Sequence, residues 1–95
     1  MHEYQWCTDG EIQSRLETLN YWLRIHSNKL LCKLQSQKPA KIVKDGVSEI
    51  VTYYDEHLNY LCTIHRVNTS EGQTIHENVK DAVIGGIWYR AKSPY

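Results

Sequence analysis

Ile12, Leu16, Leu19 and Leu23 recur at steps of four, three and four. That is the spacing of one face of a 3.6-residue helix. Leu30 and Leu34 continue the stripe, while Arg15, Glu17 and Arg24 fall off it. Just upstream, "CTDGEI" holds Thr8 and, three residues later, Glu11. This is the spacing of a capping box, in which Thr8 Oγ1 accepts from the Glu11 amide and the Glu11 carboxylate accepts from the Thr8 amide. Cys7 and Ile12 take the two staple positions around it, and Asp9 and Glu11 put negative charge in the first turn. The pattern predicts a helix from Asp9 to Ser36, roughly 40 Å long at 1.5 Å per residue. A domain of this size is about 32 Å across, so a bend is expected at "HSN", residues 26–28. Ser27 and Asn28 compete there with the helical backbone. The stretch "LLCKLQ" also reads as a strand. Pro39 ends any helix before it.

Beyond Pro39 the period changes. "KDG" (44–46) is a turn signal. "EIVTYY" (49–54) is rich in β-branched and aromatic residues. "DEHLN" connects it to a returning strand, "YLCTIHRV" (60–67), and Asp55 and Glu56 read as turn-forming carboxylates. "NTSEGQ" (68–73) is the next turn, with Gly72 placed for positive φ. "TIHENV" and "VIGGIWYRA" are the last strand candidates, with Gly85-Gly86 as a bulge or bend. "EYQW" near the start can add an edge strand. The expected fold class is α+β: a single domain, 1–95, with a long and kinked N-terminal helix (8–36) packed on an antiparallel β-meander of three to four strands (40–92).

Parity along the strands carries the main functional inference. Tyr60, Cys62, Ile64 and Arg66 should share one face, and Leu61, Thr63, His65 and Val67 the other. Ile50, Thr52 and Tyr54 alternate with Val51 and Tyr53 in the same way. Both rows contain apolar residues, whereas a sheet covered on one side alternates more cleanly. The second face is therefore expected to be covered by the chain termini, by a second copy, or by a partner.

Composition sharpens this. The 95 residues include seven Tyr and three Trp but no Phe. Every aromatic ring bigger than imidazole thus carries a polar handle, which suits half-exposed binding surfaces. Eleven basic and eleven acidic residues cancel, so no global electrostatic footprint for nucleic acid exists. Lys29, Lys33, Lys38, Lys41 and Lys44 nevertheless follow one another with no acidic residue between them. They offer a local contact for nucleic acid or an acidic partner. Cys7, Cys32 and Cys62 are odd in number and widely spaced, so no disulfide framework is expected. No signal peptide or membrane span is read from the chain, and the expected location is cytoplasmic. The sequon at Asn68 carries no weight without secretion.

Candidate chemistry is sparse. Cys62 and His65 are three apart, which on a strand puts them on opposite faces. With no CxxC or HxxxH, neither a metal nor another cofactor is expected. No GxSxG or cysteine-protease motif is present, and Gly85-Gly86 has no phosphate-loop context. Metal-independent RNA cleavage needs only a base, an acid and a cation for the phosphate. His65, Arg66, His76, Lys80, Tyr89 and Arg90 all fall in the C-terminal sheet. Helices first and then an antiparallel sheet bearing Arg, His, Lys and Tyr is a layout that resembles small bacterial messenger-cleaving toxins, with "TIHRV" and "IWYRA" as the comparable strands. No diagnostic motif is shared, and the net charge of zero departs from those basic proteins.

Two functional expectations follow. The first is a non-enzymatic interaction module that binds a protein partner or itself as a homodimer. Its Tyr/Trp-rich sheet face would be built from Tyr53, Tyr60, Arg66, Trp88, Tyr89 and Arg90, residue types that dominate binding hot spots. The alternative is a small ribonuclease with His65 and His76 as base and acid, Arg66 and Arg90 on the phosphate and Tyr89 as an auxiliary donor.

Overall fold

The capping box forms as its spacing requires. Thr8 Oγ1 accepts from the Glu11 amide at 3.1 Å, and Glu11 Oε1 accepts from the Thr8 amide at 3.2 Å. Those bonds, to the Thr8 backbone first and its hydroxyl second, hold the Glu11 carboxyl below its ordinary range. In the computed structural model, which describes residues 3–92, they open helix α1, Asp9–Thr18.

The long helix does not follow. Thr18 Oγ1 donates back to the Ser14 carbonyl at 2.9 Å, and Asn20 turns into the left-handed region at φ 68°. A second helix, α2, covers only Tyr21–His26. Ser27 Oγ then donates to the Leu23 carbonyl at 2.7 Å, and Asn28 is left-handed at φ 55°. The chain leaves as strand β2, Cys32–Pro39. Polar side chains that bond their own backbone break the helix twice where a leucine stripe alone would continue it. The stripe is a core face only at its start. Ile12 and Leu16 are fully buried, while Leu19, Leu23 and Leu34 are about half exposed or more.

The meander of three to four strands is also overturned. β1 is Tyr4–Cys7, β3 Val47–Tyr54, β4 Tyr60–Asn68, β5 Thr74–Ile84 and β6 Ile87–Ala91. With β2 they make one six-stranded sheet in the order β1-β6-β5-β4-β3-β2. β2 through β6 pair antiparallel, but β1 lies parallel to β6, so the sheet is mixed. "VIGGIWYRA" is two strands and not one. Gly85 and Gly86, at φ 60° and 78°, form the two-residue turn between Ile84 and Ile87. Both central residues of such a hairpin need positive φ. Gly72 has positive φ, as its turn suggested, and "EYQW" does supply an edge strand.

Both helices sit on the same face of the sheet. Ile12, Leu16 and Ile25 pack there on Val51, Tyr53, Cys62, Ile64, Val79, Ala82 and Tyr89. The molecule measures 39 × 32 × 24 Å, and among the described residues no helix lies on the far side of the sheet, where the β2–β3 loop folds over one end. Among the described residues no helix is long and apolar enough to cross a membrane.

Candidate functional site

Register decides which side chains share the uncovered face. Thr52, Thr63, Asp81, Arg90 and Trp6 lie opposite one another from β3 across to β1. Ile50, His65 and Asn78 form a second row, and Ser48, Val67 and His76 a third. Val83, Trp88 and Tyr4 form a fourth, toward the β1 edge. Simple parity fails at several irregularities of register, and the one between β3 and β4 decides where Tyr60 points. Tyr53 pairs with Cys62 and Tyr54 with Tyr60, which leaves Leu61 as the extra residue of a bulge. Beyond that bulge Tyr60 joins the face of Thr63 instead of the face of Cys62: its hydroxyl meets Thr63 Oγ1 at 2.6 Å.

At one end of this face the rings converge. Tyr60 stacks on Trp88 with centroids 5.6 Å apart and planes 9° from parallel. Tyr4 meets Trp88 edge-on at 5.9 Å. The Arg90 guanidinium lies 3.8 Å over the Tyr4 ring and 5.8 Å from that of Trp6, while its Nε donates to Asp81 at 2.9 Å. Trp6 remains 56% exposed. Burial pushes the Tyr60 phenol up to about 12, so this ring edge stays neutral at any physiological pH.

At the other end lie the histidines. His65 and His76 meet ring to ring at 5.8 Å. Ser48 Oγ is 2.8 Å from His65 Nε2, and Asn78 Oδ1 is 3.2 Å from His65 Nδ1. The β2–β3 loop curls over them. Lys38, Pro39, Ala40, Lys41 and Ile42 wall a cavity of about 370 Å³ with Ser48, His65, Val67 and His76. Gly46 lets the loop close, because a Cβ there would come within 2.8 Å of the Asn68 carbonyl and 2.9 Å of Val43.

The expected interaction residues therefore divide. Tyr60, Trp88 and Arg90 come together on the open face. Tyr53 and Tyr89 are 6% and 5% exposed, in the core on the helix side. Arg66 is on that side too. Its Nε donates to Glu77 Oε2 at 2.6 Å, and Glu77 Oε1 also meets His26 Nε2 at 2.9 Å. Desolvation works against the Arg66 charge, but bonds to Tyr53 and Glu77 outweigh it and leave its pKa raised. The catalytic set divides likewise: His65 and His76 meet, while Arg66 and Tyr89 face the helices. The basic stretch is spread out. Lys33 and Lys38 lie on edge strand β2, opposite Thr52 and Ser48, Lys41 and Lys44 lie in the loop, and Lys29 precedes β2.

Several residues of the face were not singled out from the sequence. Tyr4 and Trp6 needed the parallel β1–β6 pairing, and no local signal marks Ser48 or Asn78. Cys62 is fully buried, and burial pushes its thiol up to about 12, which rules against a nucleophilic role. Among the described residues no group of three or more His, Cys, Asp and Glu is gathered as metal ligands would be. Compared with family models, curated proteins and solved structures, the chain matches none.

Proposed function

We propose that this protein is a small interaction module whose open sheet face docks a second copy of the chain. The observation that carries this reading is the cluster of Tyr4, Trp6, Tyr60, Trp88 and Arg90 on a face that no helix among the described residues covers. Stacked aromatics and a pre-positioned arginine lose little entropy when they bind. A net charge of zero puts no long-range repulsion between two copies. The β2 edge carries Lys33, Lys38 and Pro39, side chains that discourage strand addition. Association is therefore directed to the face and away from that edge. Sedimentation equilibrium tests it. A dimer is expected, weakened on the order of 1,000-fold by Trp88→Ala, because both copies lose a hot-spot residue at about 2 kcal/mol each. A strict monomer at high micromolar concentration removes the self-association.

A second reading draws on the meeting of His65 and His76 beside Lys38 and Lys41. A histidine pair beside lysines has the base, acid and cation that metal-independent RNA cleavage needs. The protein would then convert single-stranded RNA to fragments with cyclic phosphate ends, and both His65→Ala and His76→Ala would stop it. Intact RNA after prolonged incubation with the folded protein counts against this reading.

A further inference from the structure

Ser48, His65 and Asn78 sit on three adjacent strands, β3, β4 and β5, and are joined through one imidazole. The chemistry of the outer partners sets its tautomer. An amide oxygen only accepts, so the neutral ring donates Nδ1–H to Asn78 Oδ1. Nε2 is then left with its lone pair toward the Ser48 hydroxyl at 2.8 Å. A hydroxyl, a basic ring nitrogen and an acceptor that fixes the ring are the parts of an activated serine, which is recognised by geometry and not by chain order.

The surroundings suit such a role. Ser48 and His65 are half-buried and line the cavity under the β2–β3 loop. Pro39, Ala40, Ile42 and Val67 give that cavity apolar walls, and Lys38 and Lys41 also border it. We propose that Ser48 is an acyl-accepting nucleophile for short-chain carboxylic esters, with His65 as its general base and Asn78 as the positioning residue. The inference rests neither on docking through the ring cluster nor on RNA cleavage.

The step balances without a cofactor. Ser48 Oγ forms a bond to the ester carbonyl carbon while its proton passes to His65 Nε2. The carbonyl π pair becomes an oxyanion, for which Lys38 and Lys41 at the cavity border are the candidate counter-charges. Collapse breaks the bond to the alkoxy oxygen, which leaves as the alcohol with the proton from His65. Water then attacks acyl-Ser48, gives a proton to His65 and releases the carboxylic acid. Ser48 recovers its hydrogen from Nε2.

A fluorophosphonate ester tests the nucleophile directly, since it phosphonylates an activated serine and expels fluoride. Incubated with the intact chain and followed by peptide mass spectrometry, it is expected to add to Ser48 and to no other serine. Hydrolysis of p-nitrophenyl butyrate should fall by about 100-fold or more in Ser48→Ala and His65→Ala, as when a member of a catalytic triad is removed. Asn78→Leu should slow it about tenfold or more. Asn78→Asp should restore turnover and move the ascending limb of the pH–rate profile upward, because a carboxylate favours the charged imidazole. The wild-type labelling requires no variant to fold. An unmodified Ser48 after prolonged exposure, or ester hydrolysis unchanged in Ser48→Ala, overturns the proposal.

Discussion

Cys62 lies fully buried on β4, between neighbours Tyr53 and Ala82 in the sheet. Its thiol is pushed up to about 12 by desolvation, whereas Cys32 is exposed. Iodoacetamide on the native protein should therefore alkylate Cys32 and spare Cys62 until denaturant is added. Equal labelling of the two would contradict the core placement. Tyr60 yields a pH prediction at the same scale. Burial raises its phenol from 10.0 to about 12 in the folded state. The folded chain thus holds a proton that the unfolded chain has released at intermediate pH. The stability contributed by a neutral Tyr60 is complete below pH 10 and declines as pH rises toward 12. The chemical-denaturation midpoint should fall over that window, and less steeply in Tyr60→Phe. Single residues were legible where the local pattern suffices. Thr8 with Glu11, Asp55 in its turn and Gly72 needed no distant partner. Asp55 Oδ1 accepts from the amides of His57 and Asn59 at 2.8 and 2.9 Å. The faces of Tyr53, Arg66 and Tyr89 were not legible, because they depend on which side of the sheet the helices take.

At the scale of elements, the N-terminal third carries the lesson. Its leucine spacing runs on past Leu23, but two left-handed asparagines cut the helix, and Cys32–Pro39 pairs with β3. A periodic stripe marks where a helix could bury a face. It does not show that a sheet edge is waiting to take the same residues. The helix start is a local matter, so Thr8→Ala should cost about 1 kcal/mol in denaturant unfolding, as for other N-caps. The β2–β3 loop is governed by a close approach. Any side chain at Gly46 meets the Asn68 carbonyl at 2.8 Å, backbone that cannot give way cheaply. Gly46→Ala should destabilise by roughly 1–3 kcal/mol, the range for overpacking. A midpoint within error of wild type would show that the loop stands off the sheet.

For the whole molecule, the deciding quantity is the size of the uncovered face. Six strands at about 4.8 Å spacing span about 24 Å, and strands of eight residues run about 26 Å. The flat area of the whole face is roughly 600 Å², part of it covered by the β2–β3 loop, so the ring end alone gives less than the ~800 Å² each partner gives to a standard interface. A dimer through this face should resist salt. Arg90 already has Asp81 as a partner within its own chain, and the rings bury apolar area. Sedimentation at low and high ionic strength should return similar dissociation constants; a strong salt dependence would move the contact to the lysines of β2 and its loop.

By itself the sequence determined what short-range chemistry controls: the capped start of α1, the glycine turns and the β-rich second half. Only the tertiary structure decided that β1 lies parallel to β6, that the bulge at Leu61 sends Tyr60 to the open face, and that Ser48, His65 and Asn78 meet across three strands. Those outcomes depend on register and strand order. Register shifts every side chain from one face to the other for a slip of one residue, and no local stretch of chain carries the information to choose.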